Sequence, residues 1–109
     1  MNIEEFEAAV EQRGYRYYED DFTGRYSYFK RSNSPVYCNC NEKPVKFEIR
    51  YYPKIGNNIK YEQCEIRIIA ETNVGDWVDL AFYSINVQDL LDDLTDFEYR
   101  LQRAWESVN

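Results

Sequence analysis

The sequence predicts one α+β domain that spans residues 1–109, with a four- or five-stranded antiparallel meander flanked by an N-terminal and a long C-terminal helix on one sheet face. Three observations support this fold class. Apolar residues recur at helical spacing near both ends of the chain, and the segments between them alternate apolar with polar residues. Short clusters of turn-forming residues separate the alternating segments, and such short turns join antiparallel neighbours.

The first predicted helix follows Asn2, a residue type that caps helix N-termini, and Glu5 stands three residues later as in a capping box. Gly14 suits the left-handed position that ends a helix. One side of this helix is apolar and contains Ile3, Phe6, Ala9 and Val10. The other side is acidic and contains Glu4, Glu5, Glu7 and Glu11. We therefore expect the helix to bury one face and to expose negative charge on the other.

Strands are predicted through the middle of the chain. Residues 15–19 and 25–31 are rich in aromatic side chains and flank a turn-forming cluster, so they predict a hairpin. A short edge strand is predicted within residues 36–41, and the alternation is cleanest over residues 45–51. Two more strands are predicted at residues 59–71 and 77–84. Four aromatic residues on apolar faces are expected in the core, namely Phe47, Phe82, Phe97 and Trp105.

Residues 86–108 predict a long helix with two contrasting faces. At about 100° per residue, one broad sector is apolar and contains Val87, Leu90, Leu91, Leu94, Phe97, Leu101, Ala104, Trp105 and Val108. The opposite sector contains Asp89, Asp92, Asp93 and Asp96. The apolar sector is expected to cover the sheet, and the carboxylates are expected to face solvent.

The composition disfavours most enzyme classes. The chain contains no histidine, so the commonest general base and the usual catalytic triads are absent. Its four glycines form no phosphate-binding loop. We expect a non-catalytic protein without a cofactor or a metal. The alternative is an enzyme or a metal protein with a site centred on Cys38, Cys40 and Cys64.

The sequence predicts a cytoplasmic protein. No apolar run approaches the ~20 residues of a membrane span, so no membrane association is expected. The first residues are acidic and lack the basic and apolar regions of a signal peptide. The chain has three cysteines, and an odd number without a secretion signal indicates reduced thiols.

The net charge of −7 is unevenly distributed along the chain. Residues 13–60 contain ten Lys or Arg against five Asp or Glu, whereas the segments before and after are both acidic. Phosphate backbones repel a protein that is acidic overall, so direct nucleic-acid binding is disfavoured. The charge instead favours a protein partner with a basic surface.

The aspartates of the last helix suggest how such a partner would be recognised. Asp89, Asp92, Asp93 and Asp96 follow an i, i+3, i+4, i+7 pattern, which places neighbours about 5–6 Å apart on one helix. This spacing is close to that of successive phosphates on a nucleic-acid strand. Our hypothesis is that this stripe, with Glu98 and the Glu-rich first helix, imitates a nucleic-acid backbone and occupies a basic groove on a target protein.

A plainer interpretation explains the same residues without a partner. Acidic residues in the first half of the helix, and Arg100 and Arg103 in the second half, complement the helix dipole. Asp96 is also placed to form an ion pair with Arg100 four residues later.

Aromatic residues provide a second candidate surface, since the chain contains eleven Tyr, six Phe and two Trp. We expect five of these side chains on the uncovered sheet face, namely Tyr26, Tyr28, Tyr52, Trp77 and Tyr83. The first four join the aspartates as candidate partner-binding residues, because Tyr, Trp and Arg are enriched at protein interfaces. The alternative function is a module for single-stranded nucleic acid that uses Tyr26, Tyr28, Arg50 and Arg67.

In size, acidity and single-domain character, the chain resembles phage-encoded inhibitors of host nucleic-acid machinery, including anti-CRISPR proteins. The resemblance rests on composition and not on a motif. It implies an inhibitor that binds a protein target, in the cytoplasm of the host cell if the chain is phage-encoded. An immunity protein or a chaperone for a basic partner fits the same features, and a homodimer that blocks the uncovered sheet face is also open.

Overall fold

The computed structural model describes residues 2–20, 24–32, 37–38, 43–53, 63–71 and 77–107. In chain order the elements are α1 (Ile3–Glu11), β1 (Arg16–Asp20), β2 (Tyr26–Arg31), β3 (Tyr37–Cys38), β4 (Lys43–Tyr52), β5 (Gln63–Glu71), β6 (Trp77–Ile85), α2 (Val87–Asp92) and α3 (Leu94–Ser107). Five strands lie side by side in the order β1-β2-β4-β5-β6, and the two-residue strand β3 pairs with the start of β4. Every pairing is antiparallel, so the predicted α+β meander is confirmed.

The helices α1, α2 and α3 cover one face of the sheet and share a single apolar core with it. The helices contribute Phe6, Val10, Val87, Leu90, Leu91, Leu94, Leu101 and Trp105. The sheet contributes Tyr28, Val45, Phe47, Ile49, Tyr51, Cys64, Ile66, Ile68 and Ala70. Successive side chains of a strand point to opposite faces of the sheet. The charged residues that alternate with these core residues in β4 and β5 therefore lie on the face away from the helices.

The start of α1 matches its predicted capping. The backbone N–H of Glu5 donates to the Asn2 side chain at 2.8 Å, which satisfies one of the free donors of the first turn. After α1, Gly14 has a φ of +94°, and the Tyr15 N–H donates back to the Val10 carbonyl at 3.0 Å. This left-handed residue redirects the chain into β1, as the sequence predicted.

Both edge strands contain an irregularity in their pairing. The register of β1 against β2 shifts between Tyr17 and Glu19. In β6, Ala81 pairs with Ile68 and Asp79 pairs with Ile69, which leaves Leu80 without a residue opposite it on β5. An extra residue of this kind is a β-bulge, and it reverses the alternation of faces along the strand.

The bulge at Leu80 corrects one prediction for the core. Phe82 was expected to share the buried face with Val78, but it lies opposite Arg67 on the uncovered face and is 57% exposed. The other three aromatic predictions are confirmed: Phe47 and Trp105 are buried, and Phe97 packs against the core. Within the described parts of the chain, no helix is long and apolar enough to cross a membrane.

Candidate partner-binding surfaces

The outer surface of the helices is rich in exposed carboxylates. We call this set the acidic helical surface; its members are Glu4, Glu5, Glu11, Asp89, Asp92, Asp93 and Asp96. Asp96 forms an ion pair with Arg100 at 2.9 Å, as the sequence predicted. Asp89 and Asp92 accept hydrogen bonds from the amides of Asn86 and Gln88, at 2.6 and 2.8 Å.

Three aspartates of this surface, one in the first turn of α2 and two at its C-terminal end, form no ion pair with the cations that the structure describes. No Lys or Arg of the described ranges forms an ion pair with Asp89, Asp92 or Asp93. Each is exposed to solvent. This surface repels other anions and attracts cations over a range that is set by ionic strength.

The last helix is not continuous, which differs from the prediction for residues 86–108. Asp93 has φ −121° and ψ 26°, outside the helical region, and separates α2 from α3. Its carbonyl accepts the first helical hydrogen bond of α3 from the Phe97 N–H at 3.0 Å. Asp93 thus occupies the N-cap position, for which aspartate is a favoured residue. The four aspartates remain exposed, but the 5–6 Å spacing expected of one straight helix does not apply across this break.

Glu98 was predicted as an extension of the stripe, but it is buried at 9% exposure. Its carboxylate accepts a hydrogen bond from the Tyr15 hydroxyl at 2.6 Å and pairs with the Lys30 ammonium at 3.0 Å. The Lys30 ammonium also lies 5.5 Å from the centre of the Tyr15 ring. This cluster ties α3 to β2 and to the start of β1. The sequence contains one signal for its burial, since Glu98 is four residues after Leu94 and three before Leu101.

A cleft of about 760 Å³ opens at the junction of α2 and α3. It is lined by Arg13, Lys30, Leu91, Asp92, Asp93, Leu94, Thr95, Asp96, Glu98 and Tyr99. The Lys30 charge is neutralised by Glu98, whereas the Arg13 guanidinium donates to the Ala9 carbonyl at 2.7 Å. Carboxylates therefore predominate at the mouth of the cleft, beside the exposed ring of Tyr99.

Tyrosines of the core make the fold sensitive to alkaline pH. Burial, and then the Glu98 carboxylate, raise the pKa of Tyr15 well above its ordinary value, and burial likewise raises the pKa of Tyr28. Both groups lose their protons more readily in the unfolded chain. Their contribution to stability is therefore fully present below about pH 10 and is lost as the pH rises above it.

We expect the free energy of unfolding to fall steeply above about pH 10, and to fall less steeply in the Tyr15→Phe, Tyr28→Phe double variant. Urea unfolding at a series of pH values measures both slopes. Tyrosinate absorbance provides a second readout, because the two buried rings should ionise only together with unfolding. Equal slopes for the wild type and the double variant would contradict this assignment.

The side of the sheet that faces away from α1, α2 and α3 forms a second surface, which we call the open sheet face. Three rows of paired residues cross it from β2 through β4 and β5 to β6. The rows are Arg31–Lys46–Ile69–Asp79, Phe29–Glu48–Arg67–Phe82 and Ser27–Arg50–Glu65–Ser84. Tyr18, at the bulge of β1, stacks on Phe29 with ring centres 4.5 Å apart and is 58% exposed.

The centre of the open sheet face is an ion-pair network. Arg67 pairs with Glu65 and Asp79, and its Nε lies 3.7 Å from the Glu48 carboxylate. Glu48 also accepts from Arg50 at 2.9 Å. Glu48 and Arg67 face away from the described helices, yet they are only 5% and 6% exposed, so both charges have lost most of their contact with water. Arg67 also lies 5.2 Å from the ring centre of Phe82.

The predicted aromatic site is divided between the two faces. Tyr28 is fully buried beneath the helices, and Tyr26 packs against the same core, so the expectation that they lie on the uncovered face is wrong. Tyr83 also packs against this core. Tyr52 lies half-buried on the open sheet face. Trp77 is paired with Glu71 through the backbone, and its side chain is outside the described part of the structure.

This division changes the residues available for stacking or for contact with a partner. Sequence reasoning missed Tyr18 and Phe82, which are exposed on the open sheet face. The bulges at the two edges place them there, and no sequence pattern that we used marks a bulge. The hypothesis of a nucleic-acid module relied on Tyr26, Tyr28, Arg50 and Arg67. The first two are covered by helices, and the guanidinium groups of the other two pair with carboxylates.

The structure describes the side chain of one of the three cysteines of the predicted alternative site. Cys64 is a thiol that is buried in the core, and its S–H group donates to the Ile85 carbonyl at 3.3 Å. Cys38 lies in β3, with its side chain outside the described part, and Cys40 is outside the described residues altogether. No group of three or more His, Cys, Asp or Glu among the described residues is arranged to hold a metal ion.

Comparison of the chain with models of known protein families, with curated proteins and with solved structures finds no match.

Proposed function

We propose that the protein is a non-catalytic binding domain that presents its acidic helical surface to a protein with a basic surface. The observation that carries this proposal is the group formed by Asp89, Asp92 and Asp93, which are exposed and form no ion pair with a described Lys or Arg. Unpaired like charges in one place destabilise an isolated protein slightly, and a cationic partner removes that cost.

The more specific form of the proposal is an inhibitor that occupies a nucleic-acid site on its target. Such sites are basic grooves that normally bind phosphates, and carboxylates held on a rigid helical layer offer comparable charge. Because of the break at Asp93, the charges are divided between α2 and the start of α3. The cleft beside them, with the Tyr99 ring and the carboxylates at its mouth, would receive an Arg or Lys side chain of the target.

The test is a variant in which Asp89, Asp92, Asp93 and Asp96 are all replaced by Asn. Asparagine caps helices as well as aspartate does, so the fold should be retained. Proteins captured from the native host by the immobilised wild type are identified by mass spectrometry, and one is then titrated against both chains at two salt concentrations. We expect the affinity to fall at least about tenfold and the salt dependence to weaken.

A second variant replaces Glu4, Glu5, Glu7 and Glu11 of α1 with Gln, which removes the same number of charges from the α1 part of the helical layer. A smaller loss of affinity in this variant assigns the contact to α2 and α3. An equal loss in both variants would mean that the contact is not centred on α2 and α3. Unchanged affinity and unchanged salt dependence in the aspartate variant would refute the proposal.

A further inference from the structure

The outer edge of β6 contains a segment without charge. β6 lies at the end of the sheet, where among the described strands it pairs only with β5. The five residues that follow its bulge, residues 81–85, are Ala, Phe, Tyr, Ser and Ile. An edge strand offers backbone N–H and C=O groups to another strand, and proteins commonly place charged residues there to prevent such pairing. This segment, which we call the β6 edge, has no such protection.

The opposite edge of the sheet is built differently. All five residues of β1 are exposed, and three of them are charged, namely Arg16, Glu19 and Asp20. The register of β1 against β2 also shifts in the middle of the strand. Both features discourage the addition of another strand. The β6 edge is uncharged, and its pairing with β5 is regular from Ala81 to Ile85. Of the two edges, it is the one suited to pairing.

We propose that two copies of the chain pair antiparallel through the β6 edge, about a two-fold axis that is perpendicular to the sheet at Tyr83. The second copy is the occupant that the segment favours, because the segment complements itself. Tyr83 faces Tyr83 of the second copy, and Phe82 faces Ser84. The two sheets then join into one, and the assembly closes at two copies because each has one β6 edge.

The ends of the segment determine this register. A two-fold axis perpendicular to the sheet must pass beside a residue, since only then do facing side chains lie on the same side of the joined sheet. The bulge at Leu80 ends the regular pairing on one side, and Asn86 caps α2 on the other. An axis at Phe82 or at Ser84 would leave three regular residues of each copy to pair. The axis at Tyr83 uses all five.

The exposed ring of Phe82 favours the same contact. This side chain is 57% exposed, although the Arg67 guanidinium lies 5.2 Å from the ring centre. In the proposed register, the Phe82 rings of the two copies are diagonal neighbours, which aromatic side chains are long enough to bridge. Paired aromatic rings are favoured beyond the area that they bury, so the dimer stabilises a ring that one chain leaves in water.

On the other side of the strand, the contact would continue the core. The ring centre of Tyr83 lies 5.3 Å from that of Phe97 on α3, and both side chains are partly buried against the core. Residues that face each other across an antiparallel pair have Cβ atoms about 5 Å apart. The two Tyr83 side chains at the axis would therefore connect the apolar cores of the two copies.

The negative charge of the chain opposes this dimer only moderately. The helix α2, which contains Asp89 and Asp92, packs over β5. Across the proposed axis, the β5 strands of the two copies are three strand spacings apart, or about 14 Å. This distance is nearly twice the screening length of about 8 Å at physiological ionic strength. The contact itself is uncharged and the repulsion is distant, so added salt should strengthen the dimer.

The dimer would extend the function proposed above without depending on it. Because the axis is perpendicular to the sheet, the acidic helical surfaces of both copies lie on the same side of the joined sheet. A basic partner with two suitably spaced sites would contact both surfaces at once. Its second contact would then be intramolecular, which raises the overall affinity.

The length of the paired segment sets the expected strength. Five residues at about 3.4 Å per residue make a contact about 17 Å long. We expect it to bury on the order of 400 Å² per copy, which is less than the ~800 Å² of a standard interface. The dissociation constant should therefore be on the order of 100 μM.

Sedimentation velocity over about 10–1000 μM protein tests the proposal. The wild type should change from monomer to dimer over this range. Its dissociation constant should fall at least about threefold when NaCl is raised from about 50 to 500 mM. The contact with a basic target should instead weaken with salt, so the failure of one proposal is distinguishable from the failure of the other.

Two substitutions at the β6 edge test the register. Phe82→Glu and Ser84→Lys should each raise the dissociation constant at least about tenfold, because each places two charges without counter-charges at the contact. An equimolar mixture of the two variants should associate more tightly than either alone, since the mixed dimer sets the new carboxylate opposite the new ammonium. Tyr99→Glu changes a ring that is 61% exposed on α3, and this matched control should leave the dimer intact.

Hydrogen exchange locates the contact in the wild type, so the test does not depend on the variants remaining folded. Amides of residues 81–85 should exchange more slowly at high than at low protein concentration, whereas those of β1 should not change. A wild type that is monomeric at the highest concentration would overturn the proposal. So would a dimer without added protection in residues 81–85, or folded variants that dimerise as strongly as the wild type.

Discussion

Phe6→Ala should lower the free energy of unfolding by about 3–5 kcal/mol, a large part of the stability of a domain of this size. The Phe6 ring is fully buried and stacks on Tyr51, with ring centres 3.9 Å apart and planes 11° apart. It also meets the edge of Tyr28 at 5.6 Å. Removal of the ring leaves a cavity between α1 and the sheet and removes both aromatic contacts.

The consequence should be greatest for α1. A helix of nine residues is too short to be stable alone, so it depends on Phe6 and Val10 for its docking. Urea unfolding measures the loss of stability, and hydrogen exchange should show faster exchange of the α1 amides. Phe82→Ala is the matched control, because the same change at an exposed ring should lower the free energy of unfolding by less than about 1 kcal/mol. Equal losses for the two variants would contradict the described core.

Glu98→Gln should destabilise the fold by about 2–4 kcal/mol. The substitution keeps the shape of the side chain but leaves the largely buried Lys30 ammonium without its counter-charge. Removal of one member of a buried ion pair is costly because the remaining charge cannot regain full hydration. Urea unfolding at neutral pH measures the effect.

Asp96→Asn, on the same helix, tests whether the effect comes from burial. It removes the exposed ion pair with Arg100, which should cost no more than about 0.5 kcal/mol. The double variant Glu98→Leu, Lys30→Met should recover much of the loss, since apolar side chains can replace a buried pair. A Glu98→Gln variant as stable as Asp96→Asn would show that the buried pair contributes little.

Sequence patterns predicted the elements whose causes are local. The alternation of apolar and charged residues over residues 45–51 predicted β4. The paired strands β2 and β5 keep the same alternation, so the buried and the charged side of β4 each continue onto its neighbours. The cap at Asn2 was also visible, since it involves residues three positions apart. The acidic helical surface followed from charge and helical period, and the positions of its aspartates needed no knowledge of the sheet.

Features set by distant parts of the chain were not predictable in this way. A bulge depends on two strands together, so the single extra residue at Leu80 moved Phe82 to the opposite face from the expected one. The pairing of Glu98 with Lys30 joins residues 68 positions apart. The alternation along β2 shows which residues share a side of the strand with Tyr28. It does not show which of the two sides the helices cover.

The break after α2 was missed for another reason. The apolar sector continues through residues 86–108, so the period alone favours one helix. Asp93 is both a member of the acidic stripe and a good N-cap, and helical period cannot distinguish these roles. The sequence therefore predicted which aspartates are exposed, but not that two separate helices carry them.

The bulges of β1 and β6 have a consequence for the behaviour of the protein in a crowded solution. An edge strand with unbroken pairing groups is a template on which another chain can add a strand and begin a fibril. Here both outer strands of the five lose their register within a few residues, at Tyr18 and at Leu80. A chain rich in aromatic residues and with long central strands is thereby protected at both edges from open-ended growth into aggregates.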